Sequence, residues 1–180
     1  MSAKILEPWL SFLREVDRAL GRTVSVHCVG GFVLGVLWNL PRPTGDIDFI
    51  EVAPSNAVSE LLGVAGEGTD LAKRYNLYFH QVTVAEFPED YASRLVDITP
   101  KGLTNLRLLA LDVHDLALAK LGRNSPRDRS DVRFLVDKGL INRQVLEERF
   151  ESELRPYVLN ESRDRLTLDL WLEEFFPSEG

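Results

Sequence analysis

The sequence predicts an α/β protein, in which a small mixed sheet of about four to five strands is flanked by helices and followed by a C-terminal helical extension. Residues 5–20 space their apolar side chains at the helical period, and residues 24–29 are rich in β-branched side chains. The last third of the chain carries helix-type patterns. We predict an α/β core over residues 1–112 and a helical extension over residues 113–180, packed together as one compact unit.

The predicted core alternates between helices and strands. An apolar helix over residues 31–38 ends before Pro41 and Pro43, because proline fixes φ and lacks a backbone N–H. A strand over residues 46–52 follows, and Pro54 opens the next helix. The remaining predicted strands cover residues 77–87, 93–98 and 106–111.

The predicted extension consists of helices with recognisable start signals. The oxygen of a short polar side chain accepts hydrogen bonds from the free N–H groups of the first helical turn, and proline suits the first helical position. Gly139 is a typical helix stop. The predicted N-caps are Asp112, Ser125, Asn142, and either Ser162 or Asp164 for the final helix, which ends at Phe176.

The composition is that of an ordinary globular chain with a net charge of -7. The basic residues are not clustered, which argues against broad binding of nucleic acid and leaves an RNA acceptor only through a local patch. No apolar run approaches the roughly 20 residues of a membrane span, and the N-terminus lacks the layout of a secretory signal. Cys28 is the single cysteine, so no internal disulfide is available. We predict a cytoplasmic protein without membrane contact.

Asp46 and Asp48 form the first candidate functional feature. Alternate residues of a strand point to the same face, so both carboxylates project together about 6–7 Å apart at the backbone. Paired carboxylates at the start of a buried strand repel each other and lose hydration unless a cation neutralises them. Hard divalent cations, as magnesium is, take such oxygen ligands. We predict a metal site here for Mg²⁺ or Mn²⁺, with a solvated strand end as the alternative.

Gly30 and Gly31 lie where the first predicted strand turns into the apolar helix. Glycine suits a tight turn, and the first N–H groups of a helix are unpaired and attract phosphate. We therefore predict a backbone cradle for phosphate. Phe32 follows directly and offers no hydroxyl group, so phosphate binding depends on the backbone amides.

This order of features resembles the minimal nucleotidyltransferase family of the DNA polymerase β superfamily, in which Gly-Gly or Gly-Ser precedes Asp-x-Asp. The lead-in Arg42-Pro43-Thr44-Gly45 resembles the Arg-x-(Thr/Ser)-x of bacterial AbiEii-type proteins and related uncharacterised nucleotidyltransferase-like proteins. With Gly30-Gly31, the sequence departs from the common Gly-Ser form. A second segment, similar to a downstream motif of that group, contains Asp115-Leu116, Lys120-Leu121, Arg127-Asp128 and Asp131.

The resemblance implies a nucleotidyltransferase-like fold and a magnesium-dependent transfer of a nucleoside monophosphate. The donor is a nucleoside triphosphate, and the acceptor is a hydroxyl group of a protein, an RNA or a small molecule. It also suggests a toxin–antitoxin system, with a cognate toxin or antitoxin as partner. The implied metal and nucleotide ligands are Asp46, Asp48, Gly30, Gly31, Arg42 and Thr44. Arg42 and Thr44 are alternatively a surface charge and a turn residue.

The same resemblance implies two further catalytic residues. Lys120 faces the nucleotide and neutralises phosphate charge, with Asp128 or Asp131 holding it in place; a lysine at the edge of the core is the alternative. A third carboxylate on a neighbouring strand acts as general base and helps bind a second metal ion. Asp97 is the first candidate for this role, and Glu86 is the second.

Two other functions fit the same residues. The first is a degenerate nucleotidyltransferase that binds or regulates without catalysis, which the missing serine and the uncertain third carboxylate favour. The second is a metal-dependent phosphohydrolase that uses the same aspartates. His27, His80 and His114 show no metal-ligand spacing, so we predict structural roles for them.

Overall fold

The computed structural model describes residues 5–177 and divides into two compact units. The first unit contains the residues up to Thr83 together with Leu95–Leu111. The second unit contains Val84–Arg94 together with the residues from Asp112 onward. A short segment of the α/β region therefore belongs to the second unit.

A five-stranded mixed sheet is the centre of the first unit. Its strands are β1 (Val24–Val29), β2 (Asp46–Ala53), β3 (Tyr78–Gln81), β4 (Val96–Asp97) and β5 (Leu106–Ala110). The strand order is β3-β2-β1-β5-β4. β2 runs antiparallel to β1 and parallel to β3, whereas β5 runs parallel to β1 and antiparallel to β4. The predicted mixed sheet is confirmed.

The helices of the first unit are α1 (Trp9–Ala19), α2 (Gly30–Trp38), α3 (Val58–Ala65) and α4 (Asp70–Tyr75). The amphipathic face of α1 buries Phe12, Leu13 and Val16 completely. The ring of Phe12 stacks on that of Phe79 at a centroid distance of 6.0 Å. This contact packs α1 against the sheet. Helix α2 ends at Trp38, and its C-cap Asn39 adopts the left-handed conformation before the proline-rich loop.

Asp17 connects α1 to the start of β5. Its Oδ1 atom accepts backbone N–H groups from Thr104 at 2.9 Å, Asn105 at 2.7 Å and Leu106 at 2.8 Å. Asp17 is buried, and several donors of this kind compensate a carboxylate for lost hydration.

The second unit is helical. Its helices are α5 (Val113–Leu118), α6 (Pro126–Asp137), α7 (Arg143–Arg149) and α8 (Glu161–Phe175). Ser125 caps α6, as the Ser-Pro signal predicts, and it also forms a capping box with Asp128. The predicted start of the last helix is wrong, because Asn160 caps it by accepting the N–H of Arg163 at 3.0 Å. Among the described residues, no helix has both the length and the apolar character of a membrane span.

Two predicted strands are shorter than their sequence patterns indicate. The strand predicted over residues 77–87 pairs only over Tyr78–Gln81, and the one over 93–98 only over Val96–Asp97. Ser93 and Arg94, predicted as strand, end a 3-10 segment that covers Glu89–Arg94. Alternation along a sequence reports which side chains are buried, whereas strand length depends on the pairing partners that neighbouring strands offer.

Candidate functional site

Strand β2 begins with the two aspartates on one face of the sheet. Ile47 and Phe49 point to the opposite face and are fully buried, whereas Asp46 and Asp48 are half-buried. The backbone register pairs Asp48 with Val29 of β1, at the point where β1 turns into α2. The aspartates therefore lie beside the N-terminus of α2.

Gly30 allows this approach. Its φ of +75° lies in the left-handed region, and a Cβ atom built there would lie 2.6 Å from Asp48 Oδ2. Any other residue would be strained and would also overlap the carboxylate. The backbone conformation and the close approach of Asp48 therefore both require glycine at the first residue of α2.

Gly31 brings Arg42 and Thr44 to the same place. A Cβ atom at Gly31 would lie 3.5 Å from Arg42 Nη2 and 3.6 Å from Thr44 Oγ1. The Thr44 hydroxyl donates a short hydrogen bond to Asp46 Oδ1. The structure therefore brings together all six residues that the sequence proposed as metal and nucleotide ligands: Gly30, Gly31, Arg42, Thr44, Asp46 and Asp48.

The charged groups of this region form a positive part and a negative part. Helix α2 has no side-chain cap at Val29, so its first N–H groups form a positive end close to the Arg42 guanidinium. The two carboxylates form a negative part beside it. Burial raises the pKa of Tyr78, the register partner of Asp46, and the negative charge of Asp46 raises it further. Phosphate suits the first part and a cation suits the second.

His80 is a neighbour of the aspartates that the sequence analysis missed. It is the register partner of Asp48 on β3, and its Nδ1 atom lies 2.8 Å from Asp48 Oδ1. Its side chain is 55% exposed, against 27% for that of Asp48. No spacing in the sequence reveals this contact, because it depends on the register between two strands that are distant in the chain.

Asp97 lies elsewhere in the sheet. It is on β4, and β1 and β5 separate that strand from β2. At the usual strand spacing, this order corresponds to about 14 Å, too far for one ion whose ligands lie about 2 Å from it. Thr99 donates to Asp97 through its backbone and Arg107 through its guanidinium, at 2.9 and 3.2 Å. The hydrogen bond from Thr99 holds the pKa of Asp97 below its usual value, and Arg107 lowers it further.

The two strands that do flank β2 contain no aspartate or glutamate. Glu86, the second candidate for the third carboxylate, belongs to the second unit and accepts the N–H of Leu159 at 2.6 Å. Within residues 5–177, no group of three or more His, Cys, Asp and Glu side chains is arranged to hold a metal ion. The metal site stays a prediction that rests on Asp46 and Asp48.

Lys120 is held within the second unit by the two aspartates of its motif. Its Nζ atom donates to Asp128 Oδ1 at 3.2 Å and to Asp131 Oδ2 at 2.9 Å. Its side chain is only 8% exposed. Burial acts to raise the pKa of Asp128, but hydrogen bonds from Arg123 and Ser125 hold it well below its usual value. The role of Lys120 towards a nucleotide stays a prediction.

The mixed sheet and the glycine–aspartate arrangement are consistent with a nucleotidyltransferase-like protein. The chain belongs to the family described as a nucleotidyltransferase of unknown function (DUF6036), whose model matches residues 11–175. This match confirms the predicted nucleotidyltransferase-like group, whereas the AbiEii-type features stay a prediction. No curated protein and no solved structure matches the chain.

Proposed function

We propose that the protein transfers the nucleoside monophosphate of a nucleoside triphosphate to a hydroxyl group in a magnesium-dependent reaction. The observation that carries this proposal is the approach of Gly30 to Asp48 and of Gly31 to Arg42 and Thr44. A helix N-terminus, a guanidinium group and accessible carboxylates share one small region as a result. Membership of a nucleotidyltransferase family supports the same class of reaction.

The two carboxylates fit a magnesium or manganese ion that arrives with its nucleotide. Mg²⁺ is usually held by one or two carboxylates together with substrate phosphates, rather than by a complete set of protein ligands. Asp46 and Asp48, with Asp48 Oδ2 close to the backbone of Gly30, offer such a partial donor set. The ion would neutralise phosphate charge and polarise the phosphorus that the hydroxyl attacks.

In this proposal each residue of the chain has a distinct task. The first N–H groups of α2 hold phosphate oxygens, because no side chain caps the helix start at Val29. Arg42 contacts the phosphates through its planar guanidinium and stabilises the charge of the leaving pyrophosphate. Thr44 orients Asp46 through the hydrogen bond between them.

The acceptor is a hydroxyl group of a protein, an RNA or a small molecule. The net charge of -7 disfavours a long RNA, because phosphate backbones are bound by clustered basic residues. The resemblance of the Arg42–Gly45 segment to AbiEii-type proteins supports a toxin–antitoxin context. A cognate toxin or antitoxin is accordingly the proposed protein partner.

One structural observation favours a second function, nucleotide binding without transfer. The strands flanking β2 carry no carboxylate that could act as general base. Gly31 also stands where the Gly-Ser form has serine, and Phe32 offers no hydroxyl group. A protein with these features could bind a nucleotide at α2 and act as a regulatory module.

Incubation with each radiolabelled nucleoside triphosphate, Mg²⁺ or Mn²⁺ and a cell lysate tests the proposal. The test variant combines Asp46→Asn with Asp48→Asn. The matched control combines Asp70→Asn with Asp137→Asn, which removes the same charge from exposed positions. Label on protein, RNA or a small molecule with wild type and control, but not with the test variant, supports transfer.

The other outcomes separate the alternatives. Cation-dependent nucleotide binding that requires Asp46 and Asp48, without transfer to any fraction, would favour the regulatory module. Transfer that survives in the Asp46→Asn, Asp48→Asn variant would contradict the proposed site.

A further inference from the structure

We propose that the outer face of α8 is a homodimer interface, in which α8 packs antiparallel against α8 of a second copy of this chain. The outer face consists of Arg163, Leu166, Leu170 and Glu173, which lie along one side of the helix. The dimer does not depend on the proposed transfer reaction. The observation behind it is that this face is apolar at its centre and carries opposite charges at its two ends.

The centre of the outer face consists of two leucines. Leu166 and Leu170 are each more than half exposed, and they are neighbours on the helix surface because residues i and i+4 lie one turn apart. The opposite side of α8 is buried, as Trp171 is. Single exposed leucines are common, whereas adjacent ones on a helix surface are typical of an interaction surface.

Leu159 adds apolar surface at the N-terminal end of α8. Its side chain is almost fully exposed, and it comes just before Asn160, the N-cap of the helix. Its backbone N–H donates to Glu86 Oε1 at 2.6 Å, so the chain is held in place at this point. The apolar surface therefore begins before the first turn of α8.

Glu173 is a charge of the outer face without a partner in its own chain. It is exposed near the C-terminal end of α8, where the helix macrodipole disfavours a negative charge. Its neighbour Glu174 pairs with Arg129 and Arg133 of α6. Within residues 5–177, no basic side chain pairs with Glu173. A cation from a second molecule would neutralise it.

Arg163 offers such a cation at the other end of the outer face. It lies in the first turn of α8, and its side chain is half exposed. Its Nε atom donates to Asp164 Oδ1 at 2.8 Å. A guanidinium group has several further N–H donors, so Arg163 can also bind a carboxylate of a second molecule.

Two copies of the outer face match each other when the helices run antiparallel. Around a two-fold axis at the level of Leu168, Leu166 lies opposite Leu170 of the second copy. Arg163 lies opposite Glu173 of the second copy, because the two residues are equally far from Leu168 along the chain. The two-fold axis repeats each contact. Parallel helices would instead place like charges beside each other, so the charge pattern favours the antiparallel pair.

Sedimentation equilibrium of the full chain tests this proposal. An interface formed by one helix pair is small, so we expect a concentration-dependent dimer with a Kd in the micromolar range. Leu166→Glu should raise the Kd about tenfold or more, because it places a carboxylate in the apolar centre of the interface. Leu6→Glu is the matched control, since Leu6 is 59% exposed, against 60% for Leu166. It adds the same charge and should keep the Kd of wild type.

Glu173→Lys tests the antiparallel orientation. It places an ammonium group beside Arg163 of the second copy at both ends of the interface, so the Kd should rise about tenfold. The increase should be smaller at high salt. A lysine near the C-terminal end suits the helix macrodipole, so α8 itself is retained. Asp137→Lys, at the exposed last residue of α6, changes the net charge equally and should leave the Kd unchanged.

The other outcomes would overturn the proposal. One is a wild type that stays monomeric at its highest soluble concentration, and another is a dimer whose Kd is the same in Leu166→Glu as in Leu6→Glu. An unchanged or lower Kd in Glu173→Lys would contradict the antiparallel pairing. A monomeric wild type that sediments with vesicles of anionic phospholipid, when Leu166→Glu does not, would assign the outer face to a membrane surface instead.

Discussion

Carboxylates are used differently in the two units of this protein. In the second unit Asp128 is completely buried and accepts hydrogen bonds from Lys120, Arg123 and Ser125. In the first unit Asp46 and Asp48 stay half-buried at the start of β2. A buried carboxylate must have protein donors to replace its hydration, whereas an accessible one can still exchange water for a ligand.

The comparison shows which aspartates of the two motifs are committed to the fold. Asp115, Asp128 and Asp131 are each bonded to lysine or arginine inside the second unit. Their charge is neutralised by the protein itself. Asp46 and Asp48 are instead placed beside a helix start that has no side-chain cap. Only this second arrangement leaves carboxylates open to a cation.

Removing the buried carboxylate should have the largest effect on stability. Asp128→Ala deletes one of the two carboxylate partners of Lys120 and the carboxylate half of the capping box of α6. Breaking a buried ion pair typically costs about 3–5 kcal/mol. We expect the free energy of unfolding, measured by urea titration, to fall by about this amount.

Asp137→Asn, at the exposed end of the same helix, is the control for Asp128→Ala. A surface change of this kind should stay within about 0.5 kcal/mol. Equal losses in the two variants would show that the hydrogen bonds of the buried Asp128 carboxylate stabilise the protein no more than an exposed charge does.

The glycine turn of the first unit should be the next most sensitive position. Gly30→Ala combines a positive φ with a Cβ atom 2.6 Å from Asp48, whereas Gly68→Ala has a positive φ and open space around it. The backbone strain alone costs about 1–2 kcal/mol. The overlap with Asp48 should add about 1–3 kcal/mol, because neighbouring atoms must move.

Urea titration of both glycine variants measures this difference. Cation-dependent nucleotide binding should be lost only in Gly30→Ala, because only that substitution displaces the Asp48 carboxylate. Equal losses of stability in the two variants would contradict the close approach of Asp48 to the helix start.

The stability of the second unit should also depend on pH. Hydrogen bonds hold the pKa of Asp128 below its ordinary value of about 3.9, so the folded state resists protonation more than the unfolded state does. This contribution is fully present above the unfolded pKa and is lost as pH falls below it. Between about pH 5 and pH 3, wild type should lose more stability than Asp128→Asn, as measured by urea titration at each pH. Parallel pH profiles would contradict this linkage.

The sequence was sufficient to predict most local features of the site. Gly30 and Gly31 were predicted at a strand-to-helix turn, and Asp46 and Asp48 on one face of a strand, because both features depend on residues close together in the chain. The capping of α6 by Ser125 was predictable for the same reason. Local sequence encodes these elements directly.

Contacts between strands could not be predicted in the same way. The pairing of His80 with Asp48 depends on the register of β2 and β3, which are separated by α3 and α4. The position of Asp97 depends on the strand order, which places β4 at the edge of the sheet farthest from β3. Neither property leaves a signal in residue spacing. The sequence therefore indicates Asp97 as a third carboxylate of the site and does not reveal the contact between His80 and Asp48.

Among these variants, Asp97→Asn should have the smallest effect on the free energy of unfolding. Its carboxylate pairs with Arg107 at the surface, where both side chains are at least half exposed. Solvent screens such a pair, which typically contributes about 0.2–1 kcal/mol. The asparagine oxygen can still accept the N–H of Thr99, so the turn after β4 is kept. We expect a loss of less than about 1 kcal/mol by urea titration, decreasing at high salt. A loss as large as that of Asp128→Ala would mean that exposure does not separate the two uses of carboxylates in this protein.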